Sequence, residues 1–133
     1  MKQSKARRKV LLAGLAGLLA DFGVPRAEAQ DAARILPRAY RVAFENDQVR
    51  VLDFVGRPGM GICGEGMHSH PAHLTIVMDD WQGVVTTPDK VAQPRQRKAG
   101  DVFWSEAETH KLENTGKTSS RVMIVELKTP KKA

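Results

Sequence analysis

Beyond Pro37 the chain never sustains an apolar helical period over the roughly 11 residues that an amphipathic helix needs, which argues against a helical fold. Short runs of β-branched and apolar residues are instead cut at close intervals by Gly, Pro, Asn and Asp. The runs 42–45, 49–57, 66–70, 73–78, 84–86, 93–98, 101–104, 110–114 and 121–128 each read as a strand. Between them, Asn46-Asp47, Arg57-Pro58-Gly59, Asp79-Asp80, Pro88-Asp89, Gly100-Asp101 and Asn114-Thr115-Gly116 carry turn chemistry. So many short strands cannot bury both faces in one open sheet, so an all-β pair of packed sheets or a closed barrel is the economical solution. In the last run, Val125-Glu126-Leu127-Lys128 alternates apolar with charged, which predicts a strand with one wet face carrying Glu126 and Lys128.

The 133 residues suffice for one domain. Their net charge of +6 suggests a nucleic-acid or membrane partner only until it is located. Six of the 21 basic and two of the 15 acidic side chains fall in residues 1–29, leaving the remainder at only +2. That remainder has no reader motif and no basic stripe interleaved with aromatics, so no nucleic-acid partner is expected. Residues 1–29 read as an export signal: a basic head from Lys2 to Lys9, an apolar run from Val10 to Ala20, then Ala27-Glu28-Ala29 as a cleavage site. The run is too short to span a bilayer, for which about 20 residues are needed, so removal and a periplasmic or secreted product are expected. Arg7-Arg8 followed by Lys9-Val10-Leu11-Leu12 resembles the twin-arginine signal, without its preferred Ser and Phe. Residues 30–40 form an alanine-bearing lead-in, expected as a helical turn or loose arm with little function, and 129–133 a basic tail. Cys63 is the sole cysteine, which excludes an internal disulfide and suggests a buried thiol.

All four histidines fall in two places, Met67-His68-Ser69-His70-Pro71-Ala72-His73 and Thr109-His110. In a strand, positions i and i+2 face the same side, so His68 and His70 project together. A third imidazole from another strand, His110, completes a three-nitrogen face for one divalent metal ion and leaves positions open for water or substrate. Imidazoles accept iron, zinc, manganese, nickel or copper, so the ligand set does not select among them.

Gly61 to Val77 followed by Gly100 to Asn114 resembles the two short motifs of the cupin superfamily. His68-Ser69-His70 matches the leading ligands, while Gly100, His110 and Asn114 match the second motif in order. Two departures stand out: Leu74 or Thr75 occupies the place of the family's glutamate, and Glu106 that of its proline. The wording of Met67 to Pro71, Ala99 to Trp104 and Val125 to Lys128 is similar to small single-domain cupins, some of them named for β-alanine degradation. The resemblance implies a jelly-roll β-barrel over residues 41–128, with His68, His70 and His110 at its mouth, and a homodimer. The chemistry it implies is a metal-dependent enzyme, an oxygenase or an isomerase or lyase, on a small organic substrate. A non-catalytic barrel holding a small ligand or metal is the alternative. A metal-free remnant, its imidazoles bonded to one another and to Ser69 or Asn114, is the third reading. Lacking the glutamate, the site would be three neutral imidazoles, like the three-histidine iron site of cysteine-type thiol dioxygenases, which are also cupins. His73 is a candidate fourth nitrogen if Pro71 introduces a bulge. Phe103 and Trp104 are expected in the core rather than shaping a substrate pocket, Trp81 in a partly exposed turn, and Glu106, Glu108 and Glu113 as surface charge on a loop rather than an acid or base. Glu108 is near enough in sequence to orient His110.

Overall fold

The computed structural model describes residues 30–58 and 67–129. The proposed signal, Gly61, Cys63, Gly64 and the end of the basic tail lie outside the described residues. Each of the nine expected strands is present: β1 Tyr40–Glu45, β2 Val49–Gly56, β3 His68–His70, β4 His73–Val77, β5 Trp81–Thr86, β6 Ala92–Arg97, β7 Val102–Ser105, β8 Glu108–Asn114 and β9 Ser120–Leu127. The lead-in forms one helical turn, α1 Ala32–Ile35, capped by the Asp31 side chain, which accepts from Arg34 N at 3.2 Å.

Two antiparallel sheets result, one ordered β1-β2-β9-β4-β7 and the other β3-β8-β5-β6. The core is built on the inner face of the larger sheet from Tyr40, Leu52, Phe54 and Ile124, with Ala32 of α1 and Ala39 closing one side and Leu112 of the smaller sheet packed against them. Tyr40 and Phe54 stack with ring centroids 4.7 Å apart. Period-2 alternation fixes what else faces inward. Along β4 the buried positions are His73, Thr75 and Val77, and along β9 Ser120, Ile124 and Glu126. A slip of one residue in either strand would turn this set to solvent.

The turns follow the sequence reading. Gly100 adopts φ +93, a left-handed conformation glycine adopts without strain, and its N–H donates to Val77 O at 2.8 Å. Asn114 closes the loop before β9: its Nδ2 donates to Gly56 O and Thr118 O, both at 2.9 Å, and its Oδ1 accepts from Gly116 N at 2.9 Å. Those bonds give Asn114 a structural role and contradict the reading in which it satisfies the imidazoles.

Candidate metal centre

The pairing of β3 with β8 assembles the histidines. His68 lies opposite His110, Ser69 opposite Thr109 and His70 opposite Glu108. Strand alternation sends His68, His70, His110 and Glu108 inward, while Ser69 and Thr109 bond each other through their hydroxyls at 2.7 Å. Ser69 is covered from outside by the lead-in, its N–H donating to Gln30 O at 2.7 Å. Its hydroxyl therefore does not serve the imidazoles, a second correction to the metal-free reading. One ligand nitrogen from each of His68, His70 and His110 lies within 4.8 Å of the others. His68 is fully buried and His70 is 2% exposed.

The carboxylate beneath this cluster was misread from sequence. Glu126 is 1% exposed, not on a wet face. Its Oε1 meets His70 Nδ1 at 2.7 Å and its Oε2 accepts from Arg50 Nε at 2.7 Å. Arg50, opposite Glu126 in the β2–β9 register, also bonds Asp31 at the cap of α1. The lead-in is thus tied through Asp31, Arg50 and Glu126 to a histidine of the cluster, contrary to the expectation that it does little. An apolar strand interrupted by one acidic residue is ambiguous between a wet face and a buried ion pair, and only the pairing with Arg50 resolves it.

A carboxylate at Nδ1 makes that nitrogen the donor and leaves Nε2 of His70 with its lone pair. Burial lowers the His70 pKa, with His110 and His73 adding to the effect, and this outweighs the opposing pull of Glu126, so the neutral ring is favoured. His70 Nε2 is buried without a hydrogen-bond partner, whereas His110 Nδ1 faces a carboxylate, Glu108 Oε1, at 3.5 Å. An unsatisfied buried acceptor among three imidazoles whose ligand nitrogens lie within 4.8 Å is what a divalent cation satisfies, so the three residues fit one. Tyr40 hydroxyl lies 2.9 Å from His68 Nε2 and ties the core of the larger sheet to the site.

The neighbouring residues divide clearly. His73 turns inward and is 2% exposed, but it stands outside the three-histidine set: its Nδ1 donates to Pro71 O at 2.7 Å, and its Nε2 lies 3.6 Å from Glu108 Oε1. Of the two positions that correspond to the cupin glutamate, Leu74 and Thr75, Thr75 is the buried one, and neither carries a carboxylate. Glu108 begins β8 instead of lying as surface charge on a loop, and its Oε1 stands 3.5 Å from His110 Nδ1. Burial raises the Glu108 carboxyl, yet the facing imidazoles, His110 foremost, outweigh it and hold it below its ordinary value. Trp81 begins β5 rather than sitting in a turn. Trp104 is 48% exposed and donates to Glu106 Oε1 at 2.8 Å, so it is not core, while Phe103 is half-buried. Glu106 and Glu113 are exposed as expected. His70, His73 and His110 line a cavity of about 290 Å³ between the sheets, floored by side chains such as Phe54, Val122 and Ile124.

Solved structures share this architecture. A cupin domain from Bordetella pertussis Tohama I is 22% identical, over 68% of this chain and 92% of that one, with a TM-score of 0.59. An RmlC-like cupin family protein with a double-stranded β-helix fold from Methanocaldococcus jannaschii is 14% identical, over 67% and 78%, with a TM-score of 0.52. No family model matches the chain, and neither does any curated protein. The fold is therefore that of a small cupin, a double-stranded β-helix in two antiparallel sheets.

Proposed function

We propose that His68, His70 and His110 hold one divalent metal ion and that the cavity beside them is the reaction site of a metal-dependent enzyme, an oxygenase or an isomerase or lyase, acting on a small organic molecule. The observation carrying this reading is the buried, unpartnered His70 Nε2 in a set of three histidines whose ligand nitrogens lie within 4.8 Å of one another beside the 290 Å³ cavity. Bound there, a metal ion would supply a Lewis acid or an open position for a small ligand. The chain's own residues do the rest. Glu126 orients His70, apolar side chains from both sheets floor the cavity, and Glu108 is the carboxylate placed to take or return a proton there. The basic head, apolar run and Ala27-Glu28-Ala29 support export of the domain to the periplasm or beyond.

Elemental analysis of the purified protein, compared with His68→Ala, His70→Ala and His110→Ala, tests the site. Near-stoichiometric metal in the wild type, lost in all three variants, is expected. Metal at background in the wild type would remove the reading. With metal present, turnover separates the enzyme from a barrel that only binds, and dioxygen uptake identifies an oxygenase.

A further inference from the structure

The sheet that carries the histidines on β3 and β8 continues through β5 to β6, and there its chemistry changes. In β6, Arg95 and Arg97 sit two residues apart and share a face; across the register they lie opposite Gly83 and Trp81 of β5. All of these side chains except that of Gly83, which has none, line the 290 Å³ cavity. Gly83 is required there: a Cβ would stand 2.1 Å from Glu113 O and 2.7 Å from the Trp81 ring, so its absence lets the indole lie across the strand beside the arginines. Pro94 between them takes no ladder bond, which an edge strand tolerates.

Arg41, Arg50 and Arg121 each meet a carboxylate. Among the described residues, Arg95 and Arg97 meet none. Arg95 bonds only the Gln93 side chain. Arg97 donates to Gln96 O at 3.0 Å and lies 4.6 Å above the Phe103 ring, which steadies the guanidinium while leaving its charge unanswered. Trp81 Nε1 is a buried donor without a partner on the same wall. Two uncompensated cations and an unused N–H, set above an apolar floor, match an anionic group on an apolar body.

We propose that this wall is an anion subsite and that the cavity takes a small organic carboxylate, its charged end on Arg95, Arg97 and Trp81 Nε1 and its apolar part against the floor. This rests on the cavity being the reaction site proposed above, but the arginines act through their own charge, so the subsite works with or without metal. Glu108, on β8 of the same sheet beside His73 and His110, disfavours the reverse orientation of the ligand.

The test is calorimetric titration of the purified protein with phenylacetate and with its neutral counterpart phenylacetamide, in metal-loaded and chelator-treated form. Phenylacetate is expected to bind roughly tenfold or more tightly than the amide in both forms. The Arg95→Gln/Arg97→Gln double variant should lose that preference while keeping its metal content and thermal midpoint, since neither guanidinium takes part in an ion pair. Equal binding of the two probes, a preference that survives the double substitution, or no binding of either probe would overturn the subsite. A charge preference in protein that never binds metal would sink the metal reading alone.

Discussion

Strands β2 and β9 bury two carboxylates on opposite faces of the larger sheet, and the two behave differently. Asp53, 6% exposed, accepts from Arg121 Nε at 2.8 Å and Nη2 at 3.0 Å, and from Arg41 Nη2 at 2.7 Å. Both arginines reach into solvent, so this cluster clips neighbouring strands together and does nothing further. Glu126, on the inner face, divides its oxygens between a guanidinium and an imidazole. Arginine partners alone give a staple; adding a histidine turns the same ion-pair chemistry into an orienting device for a ligand nitrogen. The deciding variable is strand parity, since a shift of one residue would have put Glu126 in water and left His70 Nδ1 without an acceptor.

The comparison can be broken most forcibly by removing each carboxylate. Glu126→Ala leaves the half-buried Arg50 with Asp31 alone and the buried His70 Nδ1 unanswered, and should cost about 3 kcal/mol in urea denaturation. Asp53→Ala should cost clearly less, because its partners regain water; equal losses would erase the distinction. Tyr40→Phe deletes the hydroxyl at His68 Nε2 while keeping the ring on Phe54, for an expected loss of about 1 kcal/mol by the same method. The smallest effect is one of pH. Arg121 and then Arg41 hold the Asp53 carboxyl below its ordinary value against the raising effect of burial. A carboxyl lowered by folding stabilises above its unfolded pKa, about 3.9, and that contribution is lost as pH falls through the lower folded value. Acid titration of Asp53→Asn should therefore show a shallower decline below about pH 4 than the wild type; parallel curves would show that Asp53 is not the group responsible.

The strands, the turns and the three histidines were legible because each rests on local spacing. His-x-His on a strand puts both rings on one face whatever surrounds them, and Gly100 announces its turn through a backbone only glycine adopts easily. Residues whose role depends on a partner far along the chain were not legible. Glu126 is 76 residues from Arg50 and 56 from His70, so its burial follows from pairing that no local pattern encodes. Asp31 failed to show for the same reason, and Trp81 was misplaced because its strand begins three residues before the apolar signal at Val84. For His73 the sequence left an inward ring and an exposed strand-edge ring both open, and the bond to Pro71 O that fixes the inward ring depends on the loop's own path.

The most direct test of the account is the dissociation constant of one divalent metal, measured by chelator competition on the wild type, Glu126→Gln and Asp53→Asn side by side. The account predicts affinity weakened about 10- to 100-fold in Glu126→Gln, where the imidazole loses its carboxylate, and changed less than about twofold in Asp53→Asn. Equal affinity in all three proteins, or an equal loss in both variants, would contradict the claim that Glu126 serves the histidine site while Asp53 serves only the sheet.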